Sequence, residues 1–144
     1  MTPEAPATDR KPRNYWLTAS RITYVLCLLA PAYTTDYYGT VQWHWGLEAF
    51  LLGPIGFFAG HFSWAANPFI WVAWRQVRKS NYTAAIANSV ISLGLASTFL
   101  FQKTIAVGSA GEFPYSAHIG YYSWLLSMLL VVASSYSAAR KGTS

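Results

Sequence analysis

Residues 46–79 read GLEAFLLGPIGFFAGHFSWAANPFIWVAWRQVRK, and their reading decides the fold. Between Ala49 and Trp74 the one titratable side chain is His61. At about 1.5 Å of rise per residue the stretch makes about 39 Å of helix, enough to cross a hydrocarbon core of about 30 Å. Gly46, Ala49, Gly53, Gly56, Gly60, Ser63 and Asn67 recur at intervals of three and four and so form one stripe of a helix. In lipid, small residues let helix backbones approach and gain dispersion contacts, and Gly56 with Gly60 has the small-xxx-small spacing. The stripe therefore predicts a seam against which other helices pack. Pro54 and Pro68 each remove a backbone donor, so the expected form is one long, kinked helix. A helix ending near Ala66, followed by a short second piece, is the alternative.

Composition points the same way. Of 144 residues, 53% are hydrophobic and 10% charged, where a soluble domain has about a quarter charged. The net charge of +5 does not imply nucleic acid, because the cations stand in short clusters between apolar segments and not on one face. The single Cys27 lies in an apolar run, which excludes an intrachain disulfide and predicts a structural thiol.

The remainder divides around the central stretch. Residues 1–14 hold three prolines and no apolar run, and read as a disordered cytoplasmic tail. A first apolar segment covers about 15–32 and tolerates Arg21 by snorkelling; a cleaved signal peptide is the rival reading. Residues 33–45, YTTDYYGTVQWHW, carry five aromatic rings and read as a loop lying on the bilayer surface. Further apolar segments cover about 82–101 and 118–138, separated by loop composition at 102–117 and followed by a short tail, 139–144. Ala85, Ser89, Ser92 and Ala96 make a second small face, and Ser123, Ser127 and Ser134 fall at helical spacing in the last segment. The expected fold is all-α: a four-transmembrane-helix bundle (15–32, 46–74, 82–101, 118–138) with N and C termini cytoplasmic. That threading puts Arg10, Lys11, Arg13, Arg21, Arg75, Arg78, Lys79, Arg140 and Lys141 inside and leaves Lys103 alone outside, as the positive-inside rule requires.

Few side chains carry chemistry. His44 and Glu48 are four apart, hence on one helix face, and with Glu112 and His118 they form an outer-face set that could hold a zinc-like ion or relay protons if the two pairs met. His61 falls midway along the central run, where an ionisable group needs a polar partner; Asn67 and Asn88 are the candidates. Nucleophilic triads, phosphate loops and paired catalytic acids are absent from the sequence, so neither enzymatic activity nor a cofactor is expected.

Gly46, Leu51-Leu52-Gly53, Gly56 and the run Gly60-His61-Phe62-Ser63-Trp64-Ala65-Ala66-Asn67-Pro68 resemble a family of small uncharacterised bacterial multi-span inner-membrane proteins, in which a Gly-rich segment leads into Trp-x-x-Asn-Pro. The resemblance covers about residues 26–75. It implies an inner-membrane location and no activity. The expected function is that of a non-catalytic membrane protein docking a membrane partner through its small-residue seam, as an accessory or immunity protein would. A homo-oligomeric channel or solute-transporter subunit, and an outer-face metal or ligand-binding protein, are the alternatives.

Overall fold

The structure is a computed structural model that describes residues 14–58, 60–106 and 111–141; most of the amino-terminal tail read as disordered lies outside them. Helix α1 (Tyr15–Leu28) leads into a hairpin of β1 (Pro31–Tyr37) and β2 (Thr40–Trp45). Helix α2 (Gly46–Phe58), a 3-10 turn (Phe62–Ala65) and α3 (Ala66–Arg78) replace the single central helix. Helix α4 (Tyr82–Ser97) continues as a 3-10 turn to Phe101, then come β3 (Thr104–Ala106), β4 (Glu112–Ala117) and α5 (Ile119–Lys141).

Two features overturn the all-α four-span bundle. Both segments read as outer loops are strands of one antiparallel sheet, in the order β2-β1-β4-β3. Among the described residues, only Tyr82–Phe101 and Ile119–Arg140 are long and apolar enough to cross a membrane, with the bent pair of α2 and α3 a third at most. Helix α1 has 14 residues, so at about 1.5 Å each it covers about 21 Å, short of the hydrocarbon thickness, and it carries Arg21.

The hairpin β1–β2 follows from local chemistry. Tyr38 and Gly39 both take positive φ, 50° and 82°, which is the twist a two-residue hairpin demands, and Asp36 Oδ1 accepts the Gly39 N–H at 2.8 Å. The flanking Tyr, Thr, Val and Trp residues are strand formers. In the second hairpin β4 changes partner at Pro114: residues 112–114 pair with β3 and 115–117 with β1, so the residue without an N–H stands where one ladder gives way to the next.

The central stretch breaks between α2 and the 3-10 turn, and side chains serve the carbonyls that its two prolines leave without a donor four residues on. The axes of α2 and α3 meet at 109°. Pro54 cannot donate to the carbonyl of Phe50 four residues earlier, and the Trp64 indole N–H donates to that carbonyl instead, at 2.8 Å. Gly53 makes room: a Cβ there would lie 1.9 Å from the Trp64 ring. Pro68 repeats the pattern, since the carbonyl of Trp64 that it cannot serve accepts from Asn67 Nδ2 at 3.0 Å. Pro68 sits in the first turn of α3, where a proline starts a helix rather than kinking one.

Helices α1, α3, α4 and α5 pack through small and polar residues. Ser20, Ser89, Ser92, Ser127, Ser134 and Ser135 are fully buried, while Leu29, Ile55 and Phe101 are 66%, 68% and 83% exposed. The face Ala85, Ser89, Ser92, Ala96 is buried throughout. Cross-helix hydrogen bonds run along the contacts: Ser20 Oγ to the Ser127 carbonyl (2.7 Å), Ser92 Oγ to the Ala66 carbonyl (2.8 Å), Tyr121 Oη to the Ala96 carbonyl (2.9 Å) and Trp74 Nε1 to Ser20 Oγ (2.9 Å). Arg21 lies 5.6 Å above the Trp74 ring. Chain connectivity puts the turn after α3, with Arg75, Arg78 and Lys79, at the end of the helices opposite the sheet, together with Arg140 at the end of α5.

Trp64→Phe keeps the ring over Gly53 but strands the Phe50 carbonyl, and should cost about 1–3 kcal/mol. In a Pro54→Ala background, where residue 54 regains its N–H, the same change should cost under about 1 kcal/mol. Reversible unfolding of the four proteins in mixed micelles measures the cycle, and equal costs in both backgrounds would reject the substitution of donors.

Candidate functional site

The bend of the central stretch opens a cavity of about 570 Å³ between α2, the underside of the sheet and the sheet-proximal ends of the helices. One wall is the small stripe, to which Gly46, Ala49, Gly53, Gly56 and Ser63 all contribute. Gly60 stands apart from the stripe in the turn after α2, at φ 86°. The stripe thus faces inward, toward the cavity and Trp64, instead of forming a seam with a neighbouring long helix. At its start Gly46 is pressed against α1: its N–H donates to the Ala30 carbonyl at 2.9 Å, and a Cβ would lie 2.0 Å from the Cys27 carbonyl. The opposing walls are aromatic: Tyr33 of β1, Phe99, Trp64, and Tyr121 and Trp124 of α5.

Three polar centres face this space. The first is His44 with Glu48. His44 stands at the end of β2 and Glu48 in the first turn of α2, so the strand-to-helix junction sets their separation; Nδ1 lies 2.9 Å from Glu48 Oε1 and Nε2 lies 3.0 Å from Thr35 Oγ1. The arrangement suits an imidazole whose Nδ1–H donates to Glu48 and whose Nε2 accepts from Thr35. The Trp45 N–H reaches the other Glu48 oxygen at 3.4 Å, and Tyr33 stacks on the imidazole at 4.6 Å. Thr35, His44 and Glu48 have the connectivity of a hydrolase triad, but Thr35 is 2% exposed and is not among the residues lining this cavity, so toward this space its hydroxyl serves to orient the imidazole.

The second centre is Asn67. Its Oδ1 accepts from Tyr24 Oη at 2.8 Å and from Trp124 Nε1 at 3.0 Å, while Nδ2 serves the Trp64 carbonyl. One side chain thereby joins α1, α5 and the turn before α3. The third is His61, whose Nδ1 lies 3.1 Å from Gln102 Oε1. Neither expected partner meets it: Asn67 is committed elsewhere, and Asn88 Nδ2 donates to the Ala84 carbonyl of its own helix at 2.7 Å. His61 caps the 3-10 turn in the bend, beside the segment leading to β3, and not at mid-helix.

The outer-face set does not converge. Successive residues of β1 face opposite sides of the sheet, so Thr35 meets His44 below while Thr34 bonds His118 Nε2 at 3.0 Å above, where Trp43 stacks on that imidazole at 4.8 Å. Glu112 is exposed on the far hairpin and accepts from Thr104 Oγ1 at 2.6 Å. Among the described residues no group of three His, Cys, Asp or Glu side chains could hold a metal ion. Tyr33, Gln102, Tyr121 and Trp124 were not singled out from sequence, because their roles come from pairings distant along the chain.

Burial, with the Glu48 carboxylate nearby, pushes the Tyr33 phenol up from its ordinary value of 10 to about 12. Below pH 10 the folded and unfolded states both hold the proton; between about 10 and 12 the folded state alone does, so stability falls as pH rises across that window. Absorbance titration of the protein against Tyr33→Phe should show one phenolate appearing near pH 12, and the variant should lose less stability between pH 10 and 12. Comparison with protein-family models, with curated proteins and with solved structures returned no match.

Proposed function

We propose that this chain is a non-catalytic integral protein of a bacterial inner membrane that binds a small, largely apolar molecule in the cavity beneath its sheet. The observation that carries the reading is the convergence there of an aromatic wall and three polar centres from five segments distant in sequence. A concave, mostly apolar space with a few placed polar groups is the usual form of a small-molecule site, and about 570 Å³ suits a drug-sized ligand.

Membrane residence is supported by an apolar exterior around a core in which serines are buried beside Ile70, Met128 and Val131. Buried serines and exposed Leu, Ile and Phe suit a protein whose solvent is hydrocarbon, where interhelical hydrogen bonds and close backbone contact hold helices together. The cationic end of the helices faces the cytoplasm under the positive-inside rule, and the sheet with its cavity lies on the outer side. Docking a membrane partner through the small stripe draws less support, because that stripe already lines the cavity and seats Trp64.

Two experiments test this. With Cys27→Ala as background, cysteines at Thr40 and Ser80 should label from opposite faces of intact membranes, the former from outside; labelling from one face would exclude the orientation. In nanodiscs, the neutral fluorophore N-phenyl-1-naphthylamine should bind saturably above empty discs. Gly56 lines the cavity, and a Cβ there comes no closer than 3.6 Å to His61, so Gly56→Phe should fill the space and weaken binding by about tenfold or more. Absence of saturable binding, or an unaffected variant, would overturn the site.

A further inference from the structure

The polar content of the cavity is asymmetric in charge. Glu48 is the one carboxylate among its described lining residues, and neither lysine nor arginine stands beside it there. The carboxylate is held from behind, Oε1 by His44 Nδ1 at 2.9 Å and Oε2 by the Trp45 N–H at 3.4 Å, and His44 is itself fixed by Thr35 and by the stacked Tyr33 ring. Each carboxylate oxygen can accept more than one hydrogen bond, so both keep capacity toward the cavity. Glu48 is 39% exposed in its side chain against 15% for His44, as expected of the member that is presented.

The same cavity is lined by electron-rich rings. Tyr33, Trp64, Phe99, Tyr121 and Trp124 line the same space, and their faces attract cations most strongly where water is excluded. A quaternary or tertiary ammonium gains from both features together, from the ring faces and from one carboxylate. A carboxylate or sulfate ligand would meet Glu48 with no lysine or arginine to pair it, and only the imidazoles of His44, already bonded to Glu48, and His61 among the described lining residues. Pocket volume and lining fix the rest of the molecule as apolar.

Resting on the small-molecule reading above, we infer that the ligand is a hydrophobic cation, an ammonium or an equivalent onium centre on an apolar body, whose charge sits between Glu48 and the aromatic wall.

Tetraphenylphosphonium and tetraphenylborate share one shape and differ in sign, and N-phenyl-1-naphthylamine is neutral. All three are measured by equilibrium dialysis on the full chain in nanodiscs of zwitterionic lipid, with empty discs subtracted. The expected result is binding of the phosphonium at least about tenfold tighter than of the borate. Glu48→Gln, which keeps the shape and an acceptor for His44, should remove most of that preference, weakening the phosphonium by about tenfold and the neutral probe by much less. If the neutral probe binds but the two ions bind equally, or if Glu48→Gln leaves the preference intact, the charge assignment is wrong and the apolar site stands. If no probe binds above empty discs, the small-molecule reading itself has failed. Circular dichroism and retention on gel filtration confirm that the variant is folded.

Discussion

Two carbonyls that lose their donor four residues on to a proline shape this protein. Proline at 54 and at 68 leaves the Phe50 and Trp64 carbonyls without the N–H that a continuous helix would supply, and in an apolar environment an unserved carbonyl costs several kcal/mol. The chain answers each with a side chain, the Trp64 indole for the first and the Asn67 amide for the second. Because the first donor lies beyond the bend, serving the carbonyl requires α2 and α3 to fold toward each other. The cavity is the space that this fold-back leaves. The same Asn67 then collects Tyr24 and Trp124, so the repair of a helix break doubles as the joint between three helices.

The interior follows from the same solvent argument. Where the surroundings are hydrocarbon, burying leucine gains little, and specificity comes from close backbone contact and directional bonds. Serines on α1, α4 and α5 supply both, being small and able to donate to a carbonyl of their own or a neighbouring helix. Aromatic residues divide by position: Tyr121 and Trp124 turn inward with their polar atoms bonded, whereas Trp43 and Trp45 stand exposed on the sheet.

What the sequence revealed depended on the range of the interaction. The face Ala85-Ser89-Ser92-Ala96 was readable because a 3.6-residue period in a long uninterrupted helix admits one reading. The spacing of His44 and Glu48 suggests one helix face, whereas His44 lies in β2 and the strand-to-helix junction brings the pair together. The hairpins were missed although Thr34, Thr35, Val41 and Trp43 are strand formers around a Tyr38-Gly39 turn; their aromatic content also fits an interfacial loop, and only β1 pairing with β4 decides between the two. The break between α2 and the 3-10 turn is not legible in the sequence, because a proline kink and a fold-back have the same local signature. The choice depends on Trp64 reaching Phe50, a contact no periodicity reports. His61 depends on the same choice: at mid-span it would need Asn67 or Asn88, whereas at the start of the 3-10 turn it meets Gln102.

The sheet is assembled from two hairpins that about sixty residues of intervening helix separate, with β1 edge to edge against β4. During synthesis β1 is therefore made early and must wait, its second edge open, until residues 112–117 have emerged. The ends of α1 and α5 are brought into register only then, when the Ala32 carbonyl accepts from the His118 N–H. The sheet thus acts as a clasp that closes last, and nothing beneath it has its final shape until the chain is nearly complete.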